Sequence, residues 1–290
     1  MKADLHLHST ASDGTDSPTD LMHIVACAGL RGAALMDHDT LSGIDDARQA
    51  SDDLAIAFIP GTELSVDHES ADGSRIKIHM LAYGIEPGDG PLQNKLEWLR
   101  EGRDERNPKI IKKLQQLGYN ISMDDVLEQA GGTAIGRPHI ADALVARGRF
   151  TDRNEVFDGL LNDGGAAYVE RRRLTATQAI ELSSASGGVT VIAHPVTMGI
   201  HGDQFIEVLD ELRLTGLVGI EAHHPLHDVA LREQLSGIAG DMGLIATGGS
   251  DYHGTGKRGY NVGTGRGDLR VPEFAFERIQ QAIENVNRKS

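Results

Sequence analysis

A single cysteine, Cys27, stands in the 290 residues, so no disulfide can form within the chain. Ile24, Val25 and Ala26 precede it, and this apolar setting predicts a small core residue, not a nucleophile. No run approaches the roughly 20 apolar residues of a membrane span. The N-terminus lacks the basic, apolar and small-residue succession of a secretory leader, and with the lone thiol this predicts a cytoplasmic protein. Basic residues are outnumbered, 28 Lys and Arg against 43 Asp and Glu, for a formal charge of −15. Such a balance excludes tight binding of long nucleic acid, which needs a basic face, but not of a small phosphorylated molecule. Repeats of short fixed period and low-complexity tracts are absent as well. What remains, 39% hydrophobic and 24% charged residues, is ordinary globular composition, with length enough for one α/β domain or a domain carrying an insertion.

The most informative stretch is the first one, Asp4-Leu5-His6-Leu7-His8-Ser9, followed by Ser12-Asp13-Gly14. Side chains on a strand alternate faces, so His6 and His8 project together and Leu5 and Leu7 project the other way. Two imidazoles at that spacing, with the Asp13 carboxylate after a short loop, suit a transition-metal site better than a decorated strand edge.

Further along, Ser17-Pro18-Thr19-Asp20 reads as a helix start, with serine capping, proline in the first turn and an acid beside the dipole. The helix is predicted over 17–29, a buried strand over 32–36, a helix over 43–52 and a strand over 55–59 that Pro60-Gly61-Thr62-Glu63 should end. A hairpin is expected over 63–83, with its polar turn at 67–73 and His79 on the return strand. From 91 to 163 only helical periodicity is visible, in Leu92, Leu96 and Leu99 and then Ile110, Ile111, Leu114 and Leu117. Strands return at 189–193, 217–221 and 244–247, with helices between them and a last helix over 272–288. This rhythm predicts a parallel sheet or barrel, formed by residues 1–90 and 164–290, with a helical insertion subdomain at 91–163.

Histidines or carboxylates close successive predicted strands: His6 and His8, His38, Glu63, His194, and Asp251 with His253. In a parallel barrel such tips converge on one face, where barrel active sites lie.

Together with Asp37-His38, Gly61-Thr62-Glu63, His79, Ala193-His194-Pro195 and Gly249-Ser250-Asp251-Tyr252-His253, the N-terminal motif resembles the polymerase and histidinol phosphatase (PHP) superfamily of metal-dependent phosphoesterases. The resemblance implies an α/β fold, a distorted seven-stranded (β/α) barrel, and a trinuclear site. It implies His6, His8, Glu63 and Asp251 on a first metal, Asp13, His38 and His253 on a second, and Glu63, His79 and His194 on a third, with Glu63 bridging. Many members of the family carry histidine where this chain has Asp13. The extra oxygen donor favours Mn²⁺ or Fe²⁺ over Zn²⁺.

Asp13, Glu63 and Asp251 facing three divalent cations leave a formal +3, which attracts a phosphate dianion despite the acidic surface. Metals also lower the pKa of water from 15.7 toward ~7, and a bridging hydroxide attacking phosphorus in line is the expected chemistry. The branch it most resembles acts on nucleoside 3′,5′-bisphosphates and carries a similar insertion, containing Gly136-Arg137-Pro138-His139.

The expected substrate is therefore a small phosphorylated nucleotide, with short 5′-phosphorylated oligonucleotides as a further candidate. Arg137 is the expected phosphate clamp, with His139 beside it and His224 reaching the mouth of the site in competition with His223 and His227. Arg171-Arg172-Arg173 reads either as a second anionic subsite or as a solvated face. Histidinol-phosphate hydrolysis is the alternative within enzymes, and a non-catalytic metal-binding scaffold the alternative outside them. Loss of ligands would mark a scaffold, and every expected ligand position is filled. Hydrolysis of a C–N bond with a bridging lysine is disfavoured, because no lysine closes a predicted strand. No motif bears on oligomeric state.

Overall fold

Every residue of β1 (Ala3–Leu7) is buried, as expected of a strand covered on both faces. The computed structural model describes residues 1–70, 73–130 and 135–288. After β1 come α1 (Pro18–Cys27), β2 (Gly32–Leu35), α2 (Ile44–Asp53), β3 (Ala57–Glu69) and β4 (Arg75–Tyr83). The helical stretch holds α3 (Pro91–Gln116), α4 (Met123–Leu127), α5 (Arg137–Ala146), α6 (Arg153–Val156) and a π-helical turn, Phe157–Leu161. Then follow β5 (Leu174–Thr175), α7 (Ala176–Ala185), β6 (Val189–Ile192), α8 (Gly202–Thr215), β7 (Gly219–His223), α9 (Val229–Asp241), β8 (Ile245–Gly248) and α10 (Ala275–Asn287).

The strands run in the order β1-β2-β3-β4-β6-β7-β8, with β5 beside β3. All neighbours on that path are parallel except β4, which is antiparallel to both β3 and β6. The two ends of the path meet. His8 N–H donates to Tyr252 O at 3.0 Å and Asp251 N–H to His6 O at 2.9 Å, around a parallel bridge between Leu7 and Tyr252. A seven-stranded path that closes on itself with one reversed strand is a distorted barrel.

Two expectations are corrected, and one helix is new. Pro60-Gly61 does not end β3 but marks a change of partner within it. Ala57 to Pro60 pair with β2, and Gly61 to Glu69 pair with β4. Glycine is required at the switch, because a Cβ on Gly61 would lie 2.4 Å from Ala82 O and 2.5 Å from Met36 Cε. Glu63 thus sits within a continuous strand, and the strand runs into the turn expected at 67–73, of which 71 and 72 lie outside the described residues.

Cys27 is exposed, not a core residue. Pro18, Leu21, Met22 and Val25 form the buried stripe of α1, and position 27 falls off it. Helix α7 was not anticipated, although its reciprocal cap between Thr175 and Gln178 is a Thr-x-x-Gln signature in the sequence.

Leu5 packs with Phe276 and Ile279 of α10, and Leu7 with Leu21, Met22 and Ile44 of α1 and α2. Helix α3 serves two cores. Leu92, Leu96 and Leu99 join the cluster that backs the β-sheet, whereas Ile110, Ile111 and Leu114 join Ile140, Leu144, Val156 and Leu161 in another. Among the described residues no helix is long and apolar enough to cross a membrane.

Candidate metal centre

β3 delivers the Glu63 carboxylate into the middle of five imidazoles. Its Oε1 lies 2.7 Å from His79 Nδ1 and 3.1 Å from His194 Nε2. Its Oε2 lies 3.2 Å from each of His6 Nε2, His8 Nε2 and His38 Nδ1. Asp251, at the tip of β8, has Oδ1 3.6 Å from His8 Nε2 and 3.4 Å from His253 Nδ1. Asp13 Oδ1 is 3.3 Å from His253 Nε2, and its Oδ2 is 3.9 Å from His38 Nε2. The structure thus gathers His6, His8, Asp13, His38, Glu63, His79, His194, Asp251 and His253 around one locus.

The tips are tightly shaped. His194 and Asp251 have positive φ angles of 25° and 51°, a region that non-glycine residues enter at a cost. A Cβ on Gly249 would come within 2.3 Å of the His6 Cβ, so glycine lets the β8 tip pass over β1.

Donor chemistry tests whether a metal fits. Ligand atoms of His8, Asp13, His38 and His253 lie within 4.8 Å of one another, as do those of His6, His8 and Asp251, and those of His6, Glu63 and His194. Among the described residues, both ring nitrogens of His8 are buried without a hydrogen-bond partner. Burial, with His253 as a like-charged neighbour, pushes the His8 pKa down to about 3, which leaves a neutral imidazole suited to ligation. Burial alone would raise the carboxyls of Glu63 and Asp251. His38, His6 and His79 around the first, and Lys257 and His6 beside the second, hold both well below the usual carboxylate range. Oxygen and imidazole donors in this mix fit divalent ions. The third grouping differs from the expected one, since His79 pairs with Glu63 and places Nε2 3.0 Å from Ser65 Oγ.

A supporting layer holds these groups. Asp37 accepts from Ser9 N–H at 2.8 Å, Ser9 Oγ at 2.6 Å and Ser12 Oγ at 2.5 Å, which ties the loop carrying Asp13 to β2. Asp4 accepts from Ser250 N–H at 2.9 Å and Gly263 N–H at 2.7 Å. Glu221, in the middle of β7, was missed. Its Oε1 is 2.9 Å from His6 Nδ1 and its Oε2 accepts His194 N–H at 2.7 Å. A carboxylate closing a predicted strand was the available signal, and a ligating histidine needs such a partner to set its tautomer. Glu221→Gln should therefore lower metal affinity or turnover about 10- to 100-fold with the fold intact, and titration of metal-depleted protein reads this directly.

Beside the cluster lies a cavity of about 270 Å³ whose walls include Asp13, His38, His79 and Arg137. Among the described residues Arg137 makes no ion pair with a surface carboxylate. Its Nη1 donates to Leu161 O at 2.7 Å and its guanidinium lies 5.6 Å from the Phe157 ring and 5.7 Å from the Tyr168 ring. Arg171 and Arg173 line the same cavity, while Arg172 turns away to Glu101 and Glu105. Arg103 and Arg106 of α3 also line it and were missed, because two arginines on a helix look like a solvated face. Burial among Arg103, Arg171 and Arg137 pushes the Arg106 guanidinium down, the mark of a pocket short of negative charge.

His139 lies outside this lining and accepts Gly136 N–H at 3.0 Å, capping the helix that presents Arg137. Of the three competing histidines, His224 reaches the cluster, with Nε2 3.1 Å from Asp251 Oδ2, but it is fully buried there and does not stand at the mouth. His223 turns to Ser236, and His227 to Ala222 O. Lys257, not anticipated, is ion-paired with Asp251.

A closed sheet with clustered imidazoles and carboxylates at its strand tips defines a class of metal-dependent hydrolases. Comparison with known proteins names it further. The PHP domain matches residues 4–130. A 5′-3′ exoribonuclease of Haemophilus influenzae is 31% identical over 252 residues, 87% of this chain and 90% of its own. A 3′,5′-nucleoside bisphosphate phosphatase of Chromobacterium violaceum is 31% identical over 261 residues, 90% of each chain. The structure of a provisionally assigned metal-dependent phosphoesterase from Bifidobacterium adolescentis superposes with a TM-score of 0.86 at 32% identity, covering 97% of this chain and 96% of that one. The chain belongs to the PHP family, and it is a phosphoesterase of the metal-dependent type.

Proposed function

We propose that this protein is a phosphoric monoester hydrolase acting on small nucleotides, with the 3′-phosphate of a nucleoside 3′,5′-bisphosphate as the group preferentially hydrolysed. The carrying observation is the cavity beside the cluster, walled by Lys77, Arg103, Arg106, Arg137, Arg171 and Arg173 in a chain of charge −15. Its volume of about 270 Å³ suits a small ligand and not an extended polymer. One phosphate would lie at the Asp13, His38 and His79 end, and a second anion would meet the arginines.

The donor groups support up to three divalent ions, with Mn²⁺ or Fe²⁺ favoured by the oxygen of Asp13. Such ions would supply Lewis acidity toward phosphoryl oxygens and bring the pKa of water near 7. Glu63 would be a shared ligand, Asp13 would hold an ion with His8, His38 and His253, and Asp251 would hold one with His6 and His8. His224 would fix the Asp251 carboxylate through its 3.1 Å contact, and Glu221 would fix His6 and His194. His139 would act on substrate only through the helix start that carries Arg137.

Arg137 would bind the phosphate that is not cleaved, and remote binding energy can position the reacting group. A charge-assisted bidentate contact is worth about 1.5–3 kcal/mol, roughly ten- to 150-fold. Arg137→Ala should lower kcat/KM for adenosine 3′,5′-bisphosphate by that factor and leave hydrolysis of a simple aryl phosphate nearly unchanged. Equal losses on both substrates would instead place Arg137 at the scissile phosphate or in the fold.

The reading as a whole is tested by phosphate release with Mn²⁺ across adenosine 3′,5′-bisphosphate, 5′-AMP, histidinol phosphate and a short 5′-phosphorylated RNA. The bisphosphate should have the highest kcat/KM. A clear preference for histidinol phosphate, or for the RNA, would overturn it.

A further inference from the structure

Asp39 follows His38 at the end of β2, and nothing above gives it a role. Its backbone is left-handed, with φ of 53°, an uncommon state for a residue other than glycine and one that persists only where surroundings enforce it. The enforcement is visible. Asp39 N–H donates to Glu63 O at 3.1 Å, so its backbone is held by the residue at the centre of the metal cluster.

The side chain is buried, and Oδ2 accepts from two guanidinium groups, Arg103 Nη2 on α3 and Arg171 Nη1, the latter at 3.3 Å. These arginines lie 64 and 132 residues away in sequence. Both line the cavity together with His38 and His79. Neither is saturated: among the described residues Arg103 Nε and Arg171 Nη2 are buried without an acceptor. Two like-charged groups side by side repel, and one carboxylate between them sets their spacing while leaving donors unspent.

We infer that Asp39 is a positioning residue that holds Arg103 and Arg171 as a paired anion receptor at a set distance from the metal cluster. Its backbone is tied to Glu63 and its side chain to the arginines, so the spacing between the reacting phosphate and the second anion is built into one residue. The inference rests on the substrate reading above. It adds that selectivity for a substrate with two phosphates depends on a carboxylate that itself repels phosphate.

That opposition of charge makes the test a matter of sign. Asp39→Asn keeps the size of the side chain, and asparagine tolerates the left-handed backbone. If Asp39 merely offset the arginines, its neutralisation would tighten anion binding. If it positions them, binding weakens. The measurement is the inhibition constant of adenosine 3′,5′-bisphosphate against aryl phosphate hydrolysis by the metal-loaded enzyme, alongside kcat, KM and bound metal.

Asp39→Asn should raise the inhibition constant, and the KM for the bisphosphate, at least tenfold. The kcat on aryl phosphate and the metal content should stay within about twofold, which a merely structural defect would not spare. Asp39→Glu, which retains the charge but displaces the pair, should give a smaller rise and keeps the test available if the asparagine variant does not fold. A lowered or unchanged inhibition constant, or an equal loss on aryl phosphate, overturns the inference. If the wild type binds the bisphosphate without hydrolysing it, the substrate reading falls while a weakened variant still supports Asp39. If the wild type does not bind it, both fall.

Discussion

Glu63→Gln is expected to abolish useful turnover and to remove more than one metal ion per chain. The carboxylate is buried, and each of its oxygens approaches at least two imidazoles, at 2.7 to 3.2 Å. Glutamine preserves the shape but removes the negative charge that the two oxygens present to five imidazoles at once, and its amide presents N–H toward ring nitrogens that need an acceptor or an ion. Partners that merely support a ligand cost about 10- to 100-fold when lost, so a shared ligand should exceed the upper end of that range. Elemental analysis with steady-state kinetics reads both quantities. Wild-type metal content at full activity would remove Glu63 from the bridging position.

Asp13→Asn should be the second severe variant, with a different signature. Asp13 faces His253 Nε2 at 3.3 Å and His8 Nδ1 at 3.9 Å, and it is the carboxylate of the donor group His8, Asp13, His38 and His253. Neutralising it should lower kcat by about 100-fold or more while KM for the bisphosphate changes little, because the arginine cavity still gathers the substrate. Occupancy should fall by a single ion. An unchanged kcat would place Asp13 outside the metal shell, and a parallel rise in KM would give it a part in binding substrate.

The sites of these two variants were legible for different reasons. His6 and His8 are two apart on a strand, so a local period places them on one face. His38, His194 and Asp251 each close a strand in a βα rhythm, and a parallel barrel sends all such ends to one side. Both inferences need only local spacing and one rule of topology. Glu63 was found although the strand was expected to stop at Pro60, because the Pro-Gly pair punctuates the ladder at the same place. In the molecule it punctuates a change of partner, from β2 to β4. That distinction depends on which strands lie alongside, and no local pattern encodes it.

The sequence by itself determined the α/β class, the strand tips and the kinds of donor atom that meet there, because each follows from side-chain alternation and chemical type. Only the tertiary structure decided what surrounds them. Glu221 is 215 residues from His6, and Arg171 is 132 residues from Asp39. The basic cavity draws on α3, α5, the π-helical turn and the segment before β5, each of which reads alone as an ordinary polar surface. Contacts at such separations leave no period in the sequence. They form because closure of the sheet and burial of Leu92, Leu96 and Leu99 bring α3 down beside the strand tips, and charge pairing then selects which arginines stay.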